Sequence, residues 1–114
     1  MPYLSIETNA TIDETSAHDL SRKFSVFISE LLGKPEQFVM VSLKPGASLI
    51  FGGNDNSAAF VQLKSIGLPK VRCTEISEKI CNMLDREIGI KKDRVFIDFQ
   101  DLERAMFGWN GKTF

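Results

Sequence analysis

Cysteine, histidine and tryptophan are scarce in this chain of 114 residues, with two, one and one copies. Two cysteines, Cys73 and Cys81, are too few and wrongly spaced for a disulfide framework or a zinc site. A single His18 removes most metal and triad chemistry, so neither a metal nor a cofactor is expected. A basic excess is also missing: 14 Lys and Arg face 15 Asp and Glu, a net charge of −1. Without a positive field to neutralise phosphates, no nucleic-acid partner is expected. No apolar run approaches the length of a membrane span, so no membrane partner is expected either. The first residues do not combine the basic and apolar regions of a signal peptide, and a reduced, cytoplasmic protein is the expectation.

What remains is an ordinary globular composition, 43% hydrophobic and 25% charged, sized for one domain over residues 1–114. Tyr3 to Thr8 alternates and reads as a strand. Thr11 or Asp13 offers a helix cap, Thr11 with Glu14 as a capping box. Leu20, Phe24, Phe27, Ile28 and Leu31 recur at helical spacing until Gly33-Lys34-Pro35 stops the helix. Phe38 to Leu43 is a second strand, closed by Lys44-Pro45-Gly46. The same order then repeats: a strand over 58–63, a helix capped by Thr74 with Ile76, Ile80, Leu84 and Ile88 on one face, a stop at Gly89, and a strand over 94–99.

Two pseudo-repeated βαβ units predict an α/β (α+β) fold, a four-stranded mixed sheet with both helices on one face. The strands over 38–43 and 58–63 read as apolar on both sides, as expected of strands covered on both faces. Two helices cover only one, so another subunit is expected on the other.

Four positions invite chemistry. Pro2 follows Met1, and removal of the methionine leaves a secondary amine, the least basic amine a chain normally offers. Apolar burial or a neighbouring cation lowers its pKa further and makes a general base near neutral pH. With Met1 retained, that nitrogen is an amide and no base exists. Lys34, rigidly held between Gly33 and Pro35, is either a cation on a helix C-terminus or an anchor for a carboxylate. Phe96 and Asp98 project from one face of the last strand, Asp98 being either satisfied by polar partners or facing a polar cavity. Gly52-Gly53 and Asn110-Gly111 read as turns, the latter flanked by Phe107, Trp109 and Phe114.

Six blocks in order resemble one family: Met1-Pro2 opening a strand, Gly33-Lys34-Pro35, Phe51-Gly52-Gly53, Ser65-Ile66-Gly67, Asp93-Arg94-Val95-Phe96-Ile97, and Gly108-Trp109-Asn110-Gly111-Lys112-Thr113-Phe114. Over the whole chain they resemble the macrophage migration inhibitory factor and D-dopachrome tautomerase family of the tautomerase superfamily. The resemblance implies a homotrimer with active sites between subunits and keto–enol tautomerisation of phenylpyruvate-like 2-oxo acids. It assigns Pro2 the role of general acid/base and Lys34 that of carboxylate anchor. Ser65 and Ile66 match pocket residues, the Ile66 N–H facing substrate oxygens, and Phe107, Trp109 and Phe114 form the apolar wall. Phe38 and Phe96 stand where many members have tyrosines, and Asp98 where vertebrate members have asparagine. Asp98 near Pro2 would favour the protonated amine and repel a carboxylate unless Lys34 and Lys64 offset it. Ala58 and Val61 replace the vertebrate Cys-x-x-Cys, so no thiol oxidoreductase activity is expected. The alternative function is a cytokine-like binding protein with a cell-surface receptor as partner, leaving cells without a signal peptide and carrying a weak or vestigial pocket.

Overall fold

In Tyr3–Thr8 (β1) the side chains of Leu4, Ile6 and Thr8 point to one side and are fully buried, while Tyr3 and Glu7 on the other side stay partly exposed. The computed structural model describes all residues 1–114. Asp13 caps the following helix, Glu14–Leu32 (α1), its carboxylate accepting from Ser16 N at 2.9 Å and Ser16 Oγ at 2.8 Å. The expected Thr11–Glu14 capping box does not form, because Glu14 is already the first helical residue. Leu20, Phe24 and Ile28 carry the buried stripe of α1. Gly33 ends the helix at φ +63°, a left-handed conformation that favours glycine.

Pro35 then turns the chain, and residues Glu36–Phe38 form one 3₁₀ turn. The second strand therefore starts later than expected, at Met40–Lys44 (β2), and Phe38 lies outside the sheet. The third, Ala59–Ile66 (β3), runs three residues beyond the expected end and includes Ser65 and Ile66. The second helix, Cys73–Ile88 (α2), continues directly from a 3₁₀ turn at Lys70–Arg72. Cys73 N donates to Lys70 O, so the first turn needs no side-chain cap and Thr74 sits inside the helix rather than at its end. The fourth strand spans Val95–Leu102 (β4), and a short hairpin follows, Gly108–Trp109 (β5) with Lys112–Thr113 (β6).

The sheet order is β2-β1-β3-β4, with parallel outer pairs and an antiparallel centre. This is the doubled βαβ arrangement, in which each helix crosses over within its own parallel pair. One core lies between the sheet and the helices, joining Leu4, Ile6, Val61 and Leu63 to Phe24, Ile28, Ile76, Ile80 and Leu84. A cluster of this kind supplies most of the folding free energy, at about 1.5–3 kcal/mol for each large side chain fully buried.

The opposite face of the sheet differs from expectation. The strand register places Met40, Tyr3, Lys64 and Gln100 in one row, Ser42, Ser5, Gln62 and Asp98 in the next, and Lys44, Glu7, Phe60 and Phe96 in the third. Polar side chains fill the middle row and half of each outer row, so this face is not the continuous apolar surface that the runs in the sequence imply. Met40 and Phe96 are nevertheless 66% and 62% exposed.

Candidate active site

Pro2 is held where β1 begins. Its carbonyl accepts from Met40 N at 3.0 Å, one step before the Tyr3–Met40 pair of the parallel ladder. The residue is fully buried, and it lies on the wall of a cavity of about 460 Å³. Volumes of this size suit a small organic ligand. The cavity is lined by residues from both ends of the chain and from its middle, eight of the twelve hydrophobic.

One wall is aromatic. The turn of the terminal hairpin uses Asn110 at φ +55° and Gly111 at φ +75°, the two left-handed residues that a tight hairpin turn needs. It folds Phe114 back so that its N–H donates to Phe107 O at 3.2 Å. Phe114 then stacks on Trp109 (5.7 Å, 8°) and on Phe107 (5.9 Å, 16°). Phe38 meets Trp109 edge-on at 5.1 Å. Offset and edge-on pairs of this kind contribute about 0.5–1.5 kcal/mol each beyond their burial, enough to hold a hairpin too short to be stable alone. The 3₁₀ turn that removes Phe38 from the sheet is what brings it to this wall.

The polar groups of the cavity are few. Lys64 is the only charged side chain on the lining, in register beside Tyr3, which also lines it; Gln37 completes the polar set. Lys34 lies just outside, its backbone clamped at both polar atoms. Lys34 N donates to Ser29 O at 3.0 Å, and Ser29 Oγ donates to Lys34 O at 2.6 Å. Burial holds the N-terminal ammonium below its ordinary range, and repulsion from Lys34 and then from Arg104 lowers it further. Neither cation forms an ion pair; the four salt bridges of the chain join Lys23–Glu87, Arg72–Glu75, Lys79–Glu75 and Lys91–Asp85.

Of the residues singled out from the sequence, Pro2, Phe38, Lys64, Phe107, Trp109 and Phe114 meet in this cavity, and Lys34 reaches it through its field. Ser65, Ile66, Phe96 and Asp98 do not line it within one chain. Ser65 and Ile66 are buried in the last turns of the β3–β4 ladder, opposite Asp101 and Leu102. Phe96 packs against Phe51 with ring centres 4.7 Å apart and planes tilted by 40°, beside the opposite end of β3. Asp98 accepts from Gln100 Nε2 at 3.1 Å in the polar middle row, two strands away from β1. Its carboxylate therefore does not face Pro2 of the same chain.

Tyr3, Gln37, Met40 and Arg104 went unnoticed in the sequence. The first three are close in sequence to residues already singled out, Tyr3 beside Pro2, Gln37 beside Phe38 and Met40 two residues after it. Arg104 carries no local signal at all, since only the fold brings residue 104 near residue 1. His18 is exposed on α1 and Cys81 buried on α2. No group of three or more His, Cys, Asp or Glu side chains is placed to hold a metal ion.

Known proteins share this arrangement. A family model described as macrophage migration inhibitory factor (MIF) matches residues 1–114. A macrophage migration inhibitory factor homolog of Brugia malayi is 38% identical over 116 residues, covering 100% of this chain and 99% of its own. The Mus musculus macrophage migration inhibitory factor is 30% identical over 118 residues, with 100% and 99% coverage. The crystal structure of a homologue from Prochlorococcus marinus superposes with a TM-score of 0.92 at 38% identity over 98% of each chain. That of Trichinella spiralis superposes at 0.90 with 35% identity, covering 98% of this chain and 99% of its own. With its entire length matched in sequence and its doubled βαβ sheet matched in three dimensions, the chain belongs to the macrophage migration inhibitory factor family of the tautomerase superfamily.

Proposed function

We propose that this protein is a keto–enol tautomerase of phenylpyruvate-like 2-oxo acids, with the Pro2 amine, freed by removal of Met1, as general acid and base. The observation that carries the reading is the burial of Pro2 on an apolar, aromatic-walled cavity beside unpaired cations. Once Met1 is gone, the amine belongs to Pro2, which lies deeper than the ammonium already shifted by burial, Lys34 and Arg104. A neutral amine at pH 7 takes the proton from the enol hydroxyl, the C–O π bond forms as the C=C π bond opens, and that pair takes the same proton back at the adjacent carbon to give the ketone. The reverse path removes that carbon-bound proton. Lys34 pairs with the substrate carboxylate, and the stacked Phe107, Trp109 and Phe114 keep water from the amine.

In this reading the chain works as a homotrimer, which supplies what one chain leaves undone. The exposed apolar side chains Met40, Phe60 and Phe96 gain cover, and Phe96 and Asp98 complete a neighbour's site. The test is the ketonisation rate of phenylpyruvate, measured on protein whose intact mass shows loss of Met1. Pro2→Gly is expected to lower kcat by about 10²-fold or more, the share usual for a positioned acid/base. A Met1-free protein with no rate above buffer, or a Pro2→Gly variant as fast as the parent, overturns the proposal. A receptor-binding role, supported by the names of the relatives, predicts instead that an inactive Pro2→Gly protein still binds.

A further inference from the structure

The charged side chains around the cavity are all of one sign. Among the twelve lining residues Lys64 is charged and none is acidic. Lys34 and Arg104 add positive charge close enough to repel the N-terminal ammonium. Basic and acidic residues are almost equal in the whole chain, 14 against 15, so this local excess is not a consequence of composition. None of the three side chains forms an ion pair or donates a hydrogen bond. Every side-chain hydrogen bond from a basic residue comes from Lys23, Arg72, Lys91 or Arg94, and the ion pairs add only Lys79. The three cations also come from separate elements: the end of α1, the sheet face of β3, and the Arg104–Met106 turn before the hairpin. Gathering like charges beside an apolar cavity is unfavourable in the empty protein and becomes favourable only when anionic groups arrive. One substrate carboxylate occupies one cation and leaves the others unmatched.

Resting on the 2-oxo acid reading above, we infer that the site selects substrates with a second carboxylate, held by Lys64 and the neighbouring Tyr3 hydroxyl, with Arg104 adding to the field. Lys34 keeps the carboxylate next to the reacting carbon. Phe38 removes a phenol from the aromatic wall, while Tyr3 supplies one on the sheet side next to Lys64. In this assignment the Tyr3 hydroxyl donates to a terminal carboxylate rather than to a phenolic ring.

Trp109 is the chain's single tryptophan and lines the cavity, so its fluorescence reports binding without any need for turnover. The probes are 2-oxopentanoate and 2-oxoglutarate, which share a carbon count and differ by one carboxylate. On Met1-free protein at low ionic strength, 2-oxoglutarate is expected to bind about tenfold more tightly, a preference that shrinks with added salt. Lys64→Met and Arg104→Gln are each expected to reduce that ratio, and Lys64→Arg, which keeps the charge and controls for folding, to retain it. Equal affinities, or a ratio that neither substitution changes, overturn the inference and leave the tautomerase reading standing. A tenfold preference in a processed protein with no phenylpyruvate turnover does the reverse.

Discussion

Arg94, at the end of the 3₁₀ turn before β4, holds the loop between β2 and β3 to the edge of the sheet. Its Nη1 donates to Phe51 O at 2.7 Å, its Nη2 to Asn56 O at 2.9 Å and its Nε to Ser57 O at 3.4 Å. The guanidinium also lies 4.8 Å from the centre of the Phe51 ring, which in turn packs on Phe96. Arg94→Ala removes all of these. The short, partly buried bond to Phe51 O is worth about 1.5 kcal/mol as a charge-assisted bond. The more exposed bond to Asn56 O and the cation–π contact are worth about 0.5 kcal/mol each, and the long Ser57 bond almost nothing. The expected loss is therefore about 2.5 kcal/mol. With an unfolding entropy of about 2.1 cal/mol/K per residue, each kcal/mol shifts Tm by about 4 °C in a chain of this size, so Tm falls by ~10 °C. Calorimetry or circular dichroism at one fixed protein concentration measures it, since self-association makes Tm depend on concentration. Arg94→Lys keeps one bond and the charge, and is expected to recover about half of the loss. An Arg94→Ala protein within about 0.5 kcal/mol of the parent, the range of an ordinary surface change, would refute the claim that this guanidinium holds the loop.

Three further outcomes follow from particular contacts. In the chain that retains Met1, an NMR titration is expected to place the α-ammonium below the ordinary range, and Arg104→Gln to raise it by removing a repelling charge. On the proposed mechanism the neutral Pro2 amine of the Met1-free protein is the active form, so kcat/KM is expected to rise with pH through the amine pKa. Arg104→Gln then moves that rising limb to higher pH, and an unmoved limb counts against a field acting on Pro2. Thr8 Oγ donates to Ala58 O at 2.7 Å and accepts from Ala10 N at 3.1 Å, and its side chain is fully buried. Thr8→Val keeps the shape and strands both partners, so urea unfolding is expected to show a loss of about 1–3 kcal/mol with an unchanged m-value.

The parts of the fold legible in the sequence are those encoded within a few residues. The spacing of Leu20, Phe24 and Ile28, the left-handed stop at Gly33, the alternation in β1 and the tight turn at Asn110-Gly111 all act through neighbours along the chain. Their periodicity is enough to deduce two βαβ units and one helix-covered sheet face. The misreadings share a cause. Thr11 and Thr74 are good caps in isolation, but Asp13 and the 3₁₀ turn at Lys70–Arg72 satisfy the helix ends first. Phe38 looks like strand by composition, yet the turn after Pro35 carries it to the aromatic wall instead.

The chain alone determined which side chains could do chemistry: an amine exposed only by loss of Met1, a lysine pinned after a helix, an aromatic tail. Tertiary structure decided which of them meet. Register pairs Tyr3 with both Met40 and Lys64, and moves Asp98 two strands from β1. The hairpin returns Trp109 and Phe114 to the first residues, and Arg104 with them into reach of the N-terminus. Burial and Coulomb fields depend on distance in space, and no local pattern records which residues a hundred positions apart come within a few ångströms of each other.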